Sequence, residues 1–354
     1  MRHLPTKLLA ALTLLTLAVI GEAQSYPPAW SNTATYVAGD QVQLFGNVIR
    51  AVKPSTVPGK FVYTNWELWE VRANTTVMVG TGQTFPTLEA AWTYAQNARV
   101  AEGAYLHLYI STAHGDYNGE NVNGFVLDHE SGARVSIIGD NRNNIRLGAP
   151  AGFSSNAFII DSGHSFGTIS NVSIGGKGVT NAGSGIFATG NASIADVSGI
   201  VVSGFGNGVF ADQGASITLE NTVALNSANN FSVRASRNAN ILIKNGWTGS
   251  ATGAALLLAT FGGDITAESC TLSAANGSGA LAEEGGIIDV AGSSINHCIV
   301  GAYAFDHGWI YALNCALGSN SAWDFQAQDG GQIYSDGSGM TANNIDSGTG
   351  SYIY

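Results

Sequence analysis

The stretch Asp212-Gln213-Gly214-Ala215-Ser216-Ile217-Thr218-Leu219-Glu220 decides how this chain folds. It opens on a polar turn containing a glycine, then alternates apolar Ile217 and Leu219 with polar Ser216, Thr218 and Glu220. Alternation with period two is strand geometry, not helix geometry. The pattern returns at near-constant spacing: Ile194, Ile217, Ile241, Ile265, Ile288, Ile310 and Ile333 are separated by 23, 24, 24, 23, 22 and 23 residues. Polar or glycine turns such as Glu283-Glu284-Gly285 and Gln328-Asp329-Gly330 lie just before the isoleucines. Two residues after them come Asp196, Leu219, Ile243, Ala267, Val290, Ala312 and Ser335, mostly apolar. A fixed period in the low twenties marks a solenoid of stacked units. Strand, turn, strand at that period specifies an all-β parallel β-helix, with coils about 4.8 Å apart. About 8–9 coils are expected over residues 106–337, followed by a cap or tail at 338–354.

The composition agrees. Of 354 residues, 45% are hydrophobic and 11% charged, enough for one elongated core plus a small extra domain. The 46 glycines follow no G-X-Y period, which excludes collagen. Gly190, Gly214, Gly262, Gly285, Gly308 and Gly330 fall at turns, where left-handed backbone angles are expected. The net charge is −11 and the mature chain has no basic cluster, so nucleic acid and anionic membrane surfaces are excluded as partners. Arg2, His3 and Lys7 precede the apolar run Leu8 to Ile20 and the small-residue site Gly21-Glu22-Ala23. That reads as an export signal over residues 1–23, leaving a secreted or periplasmic protein. Cys270 and Cys315 share one column two coils apart, roughly 9.6 Å, beyond the reach of a disulfide at about 7 Å. Cys298 has another phase, and all three are expected to be buried thiols.

Residues 24–71 differ from the rest in holding Trp30, Tyr36, Phe45, Phe61, Tyr63, Trp66 and Trp69 with several turn signals, which suggests a small aromatic β module. The string Ala29-Trp30-Ser31, Tyr36-Val37-Ala38-Gly39-Asp40-Gln41-Val42, Gly46, Arg50-Ala51, Pro58 and Trp66-Glu67-Leu68-Trp69 resembles the small chitin- and cellulose-binding modules of family 5/12. That resemblance implies sugar binding through Trp30, Tyr36, Trp66 and Trp69. The chain departs from the family pattern at Ile49 and at Val52-Lys53-Pro54, where chitin binders carry aromatics, so sugar binding and simple core packing both stay open. Residues 72–105 read as a linker and a helix over Thr87 to Val100, with Leu88, Ala91, Trp92, Ala95 and Ala98 on one apolar stripe. Followed by the alternating Tyr105 to Ile110, this arrangement resembles the N-terminal cap of right-handed β-helix proteins of the pectin-lyase-like superfamily and of phage tailspikes. The right hand of the coil is implied by that resemblance.

Three outward strips could carry chemistry. The ladder Glu220, Lys244, Glu268 is a stack of opposite charges that satisfy one another. The turn column places Glu284, Asp306 and Asp329 on successive coils, where carboxylates gather calcium or raise one another's pKa, and His307 beside Asp306 is a candidate base. The same acids are also favoured at exposed turns by turn chemistry alone. The third strip flanks the isoleucines: Asp264, Trp309, Asp289, Tyr311 and Tyr334. Asp289 lies one coil from Asp264 and from Glu268, with Cα atoms roughly 8 Å apart, as hydrolysis with inversion requires of two carboxyls.

The expected function is exported polysaccharide recognition, with a glycan lying across the aromatics Trp309, Tyr311 and Tyr334. Cleavage, where it occurs, is expected from an acid pair drawn from Asp264, Glu268, Asp289, Glu284 and Asp306, and lyase chemistry is disfavoured because no Lys or Arg follows Ala251. No cofactor is expected apart from calcium at Glu284, Asp306 and Asp329. The alternative is a non-catalytic tailspike, tail-fibre or adhesin-type protein on a virion or cell surface, a homotrimer in which the same aromatics serve as subunit contacts.

Overall fold

The computed structural model describes residues 27–31, 33–54, 61–121, 124–149, 156–176, 181–220, 223–226, 230–251, 253–274, 276–338 and 350–354. The export signal read at 1–23 lies outside the described residues. From Thr75 onward the described strands form a parallel β-helix. A twelve-stranded parallel sheet runs from Thr75–Val79 to Tyr352–Ile353, and a nine-stranded one from Phe125–Val126 to Trp323–Gln328. Sheets of five and four strands make a third face, from Tyr117–Asn121 to Ala316–Gly318.

The isoleucine period is the register of the twelve-stranded sheet. Ile194 pairs with Ile217, and the column continues through Ile241, Ile265, Ile288, Ile310 and Ile333 to Ile353. Ile217 to Ile333 are fully buried, and Ile194 nearly so. The regular part of the tube is therefore about seven turns, slightly fewer than expected. The earlier coils are longer and less regular, with a register shift between Arg146 and Leu147. Facing the isoleucines, the nine-stranded sheet contributes an inward alanine column: Ala188, Ala211, Ala235, Ala259, Ala282, Ala304 and Ala327.

On the regular coils, the passage from the nine-stranded to the twelve-stranded sheet is a two-residue left-handed turn. Gln213, Arg237, Phe261, Glu284, Asp306 and Asp329 have φ of 51°, 52°, 49°, 52°, 43° and 49°. The following residue is also left-handed: Gly214, Asn238, Gly262, Gly285, His307 or Gly330. Non-glycine residues reach this region only with strain. Backbone bonds between successive turns offset it, such as Gly214 N to Arg237 O at 3.0 Å and His307 N to Asp329 O at 3.2 Å. Gly308 differs from the expectation of a left-handed glycine. The left-handed pair of its turn is Asp306-His307, and Gly308 is needed because a β-carbon there would collide with the carbonyl of Ala282.

At the N-terminal end, Gln41–Leu44, Asn47–Ala51 and Trp66–Val71 form an antiparallel sheet, which Arg99–Val100 extends in parallel. Helix α1, Leu88–Ala95, is capped by Thr87, whose hydroxyl accepts from Ala90 N at 3.1 Å. It ends earlier than its apolar stripe suggested, because Arg99 and Val100 pair with Glu70 and Val71 instead. Leu88, Ala91, Trp92 and Ala95 are buried, and the Trp92 ring lies 6.1 Å from Phe125 and 6.4 Å from Phe166. The helix thus closes the open end of the tube, where unpaired strand edges would otherwise meet water. The three cysteines are free and buried, and burial pushes each thiol up to about 11.

Inward and outward positions of one strand differ sharply in what they support. Ile265→Ala leaves a cavity in the stack and should lower unfolding stability by about 2–5 kcal/mol. Thr266→Ala, one residue on and facing out, should stay within about 0.5 kcal/mol. Urea unfolding midpoints of the two variants check this; equal losses would contradict the register.

Candidate functional site

Because each isoleucine points inward, the residues on either side of it point out. On the near side the column reads Asn240, Asp264, Ile287, Trp309 and Gln332. On the far side it reads Leu242, Thr266, Asp289, Tyr311 and Tyr334. Asp264 and Asp289 therefore sit diagonally, one strand and two residues apart, which separates their Cα atoms by roughly 8 Å. Both are half-buried. Burial pushes the Asp264 carboxyl up from its ordinary value, and the charge of Asp289 adds to the shift. Asp289 is fixed by its own chain, its Oδ1 accepting from Ala291 N at 2.9 Å. The pair thus joins a carboxyl whose burial favours its protonated form to one held in place by the backbone.

The aromatics lie directly beyond this pair. Tyr311 and Tyr334 stack at 5.2 Å and 15°, and Tyr334 and Tyr354 at 4.9 Å and 16°. Trp309 tilts against Tyr334 at 6.0 Å and 33°. The rings follow the rise of the sheet, so the inner rings cover one another's faces and present edges and hydroxyls to solvent. On its other side Tyr311 is the cross-strand neighbour of Asp289. This ladder also ties the last strand, Tyr352–Ile353, to the tube.

The other expected residues lie elsewhere. Glu268 is exposed at the next corner, lining a groove of 460 Å³ with Glu220, Lys244 and Thr266. Lys244 is ion-paired with Glu220. Asp196 joins that corner, and sequence reasoning missed it. A register shift between Ile194 and Val197 makes Val197, not Asp196, the inward partner of Leu219. Asp196 is left half-buried, with Ser198 Oγ donating to its Oδ2 at 2.9 Å and a buried Oδ1 without a partner. Burial pushes its carboxyl up. The signal was an aspartate in a mostly apolar column. Glu284 accepts from Thr260 Oγ1 at 2.7 Å, and Asp306 Oδ1 meets His307 Nδ1 at 3.0 Å, both at the left-handed turns. Among the described residues, no group of three or more His, Cys, Asp or Glu side chains converges as a metal cage.

In the N-terminal sheet, Trp66 is buried, with Tyr36 edge-on at 5.0 Å and Phe61 stacked at 6.2 Å. Trp30 packs edge-on against Phe61 at 6.1 Å. The Arg50 guanidinium, paired with Glu67, covers the Trp69 face at 3.7 Å. Trp30 also borders an uncharged groove of 490 Å³ with Phe45, Phe61 and Tyr94.

No family model and no curated protein matches the chain. Among solved structures it is similar to full-length tailspike protein 2 of Escherichia coli O157:H7 bacteriophage CAB120. The identity is 15% and the TM-score 0.44, over 91% of this chain and 48% of that one. The chain spans about half the length of that protein.

The raised Asp264 has a consequence for stability. Its folded state holds the proton more tightly than the unfolded chain, so stability is lost as pH rises from the ordinary aspartate value of 3.8 through the raised one. Asp264→Asn removes that loss. It should match the parent below that value and be the more stable of the two near neutrality, as read from thermal melts across pH. A variant less stable at neutral pH would contradict the burial assigned to Asp264.

Proposed function

We propose that this protein recognises a glycan, laying the saccharide chain across the outer face of the twelve-stranded sheet. The observation that carries this reading is the diagonal Asp264–Asp289 pair bordered on the next strand by Trp309 and Tyr311. Sugar rings present flat apolar faces that pack on aromatic rings, and hydroxyls that bond to carboxylates. Where the bound chain is cleaved, the pair supplies both roles of an inverting hydrolase. Asp264 gives its proton to the glycosidic oxygen while Asp289 takes one from the attacking water, and the carboxyl spacing of roughly 8 Å leaves room for that water. The protein acts outside the cell, either exported or on a virion surface. Among the described residues, no helix is long and apolar enough to cross a membrane.

A second reading is a non-catalytic receptor-binding fibre, assembled as a homotrimer. The tight two-residue turns at the corner beside the site favour it, since they raise no wall around the sheet face. One experiment separates the two. The intact protein is passed over a panel of neutral and acidic polysaccharides, scoring retention and new reducing or unsaturated ends. Trp309→Ala should weaken retention about ten-fold, at the upper end of what one aromatic contact contributes. Asp289→Asn should keep retention while slowing product formation by about 10²-fold or more. Retention with no product from the parent removes the hydrolase and leaves the fibre. No retention on any polymer, or retention indifferent to Trp309→Ala, overturns glycan recognition at this face.

A further inference from the structure

The outward column that holds Asp289 and the tyrosines continues in the other direction. In register it reads Leu242, Thr266, Asp289, Tyr311 and Tyr334, one residue per strand. Leu242 and Thr266 also line the 460 Å³ groove at the next corner, together with Glu220, Lys244, Asn245 and Glu268. Thr266 therefore belongs to both places. Its backbone lies one strand spacing, about 4.8 Å, from that of Asp289, and its side chain walls the groove.

The groove's side chains are not committed to one another. The ladder of opposite charges is only half closed: Lys244 pairs with Glu220, while Glu268, exposed on the next coil, forms no ion pair among the described residues. The side chains of Asn245 and Thr266 likewise make no hydrogen bond among the described residues. Beside these polar groups, Leu242 is 40% exposed.

We infer that this corner groove is the second half of the glycan site, holding neutral sugar units on the far side of the acid pair from Trp309 and Tyr311. The inference rests on the glycan reading of the sheet face and extends it along the tube. Position, chemistry and charge each support it. From Leu242 to Tyr334 the column rises four strand spacings, about 19 Å, with Asp289 at its middle. A saccharide running parallel to the tube axis over the acid pair therefore enters the groove on one side and meets the rings on the other. Neither end of the site is closed by the tight turns of the coil, so it takes an internal stretch of polymer. Each sugar hydroxyl both donates and accepts a hydrogen bond. The Lys244 ammonium and Asn245 amide donate, the Glu268 carboxylate accepts, and the Thr266 hydroxyl does either. Leu242 offers an apolar patch to a ring face. The Glu220–Lys244 pair cancels its own charge and leaves Glu268 as an unpaired anion, which opposes an acidic unit and not a neutral one. Glu268 is thereby a binding residue at the corner, separate from the reacting pair.

Affinity electrophoresis of the intact protein tests this, in gels containing dextran, mannan, galactan or hydroxyethyl-cellulose as neutral polymers and alginate as an acidic one. At least one neutral polymer should retard the parent. Glu268→Gln and Leu242→Ala, both at exposed positions, should each weaken that retardation about three- to ten-fold, as the loss of one contact in a solvated groove does, with circular dichroism and melting unchanged. Thr248→Ala, outward on the third face, should leave it as in the parent. Among fragments of the retained polymer, the gain in affinity with length should be smaller in the two groove variants than in the parent. Retardation that responds to Trp309→Ala but to neither groove substitution overturns the groove and leaves glycan recognition on the sheet face standing. A response to the groove substitutions without one to Trp309→Ala confines binding to the corner and overturns the two-sided site. Retardation by alginate alone overturns the neutral assignment, and retardation by no polymer overturns the groove and the glycan reading together.

Discussion

Everything in this molecule depends on vertical register: each coil must return the chain to the same height plus one strand spacing, about 4.8 Å. Two devices enforce that return. Inside, an isoleucine from one sheet and an alanine from the other recur on each regular coil, and neither tolerates a slip, since a shift of one residue would turn the apolar set outward. At the corner, two left-handed residues reverse the chain in the shortest available space, and the turns bond to one another along the stack. Where the wall comes nearest, only hydrogen fits, which is why Gly263, Gly286, Gly308 and Gly331 stand against the carbonyls of Ala235, Ala259, Ala282 and Ala304.

Once the inner columns are fixed, the outer ones are free to vary, and each face has become chemically distinct. The twelve-stranded sheet carries Asp264 and Asp289 diagonally and then a ladder of rings. The diagonal matters more than the distance alone. Two carboxylates directly stacked on adjacent strands would sit at the strand spacing and repel strongly, whereas one strand and two residues leaves space for a water between them. Half-burial at the sheet surface then pushes the Asp264 carboxyl up, without any help from a cleft.

The sequence revealed what repeats and concealed what breaks the repeat. A single isoleucine per coil was enough to read the tube, its register and the inward direction of the neighbouring positions, because periodicity is a property of residue identity at fixed spacing. Asp196 was misplaced because column counting assumes one residue per rise, and the extra residue between Ile194 and Val197 is a backbone event without its own letter. Gly308 was assigned the wrong task because glycine serves both left-handed turns and close approach, and only coordinates separate the two. Helix α1 stopped short of Val100 because tertiary pairing with Val71 outcompeted a continuing apolar stripe. Tyr311 and Tyr334 were correctly placed outward, yet stacking on each other hides faces that the pattern alone left open.

Under the proposed glycan reading, the distribution of charge narrows which polymer the acid-bearing face would hold. Glu220, Glu268, Asp264 and Asp289 all lie on or beside the twelve-stranded sheet, while Lys244 is paired and no Lys or Arg follows Ala251. A uronate or sulfated chain laid across this surface would bring anions against carboxylates with no cation to compensate, and Asp264, already disfavoured as an anion, would be protonated further. A neutral hexose chain meets no such opposition, because its hydroxyls donate to the carboxylates and its ring faces pack on Tyr311 and Trp309. The same shortage of cations removes the basic group that proton abstraction beside a uronate needs. Within the glycan reading, the electrostatics of this face therefore select a neutral chain and hydrolysis over an acidic chain and elimination.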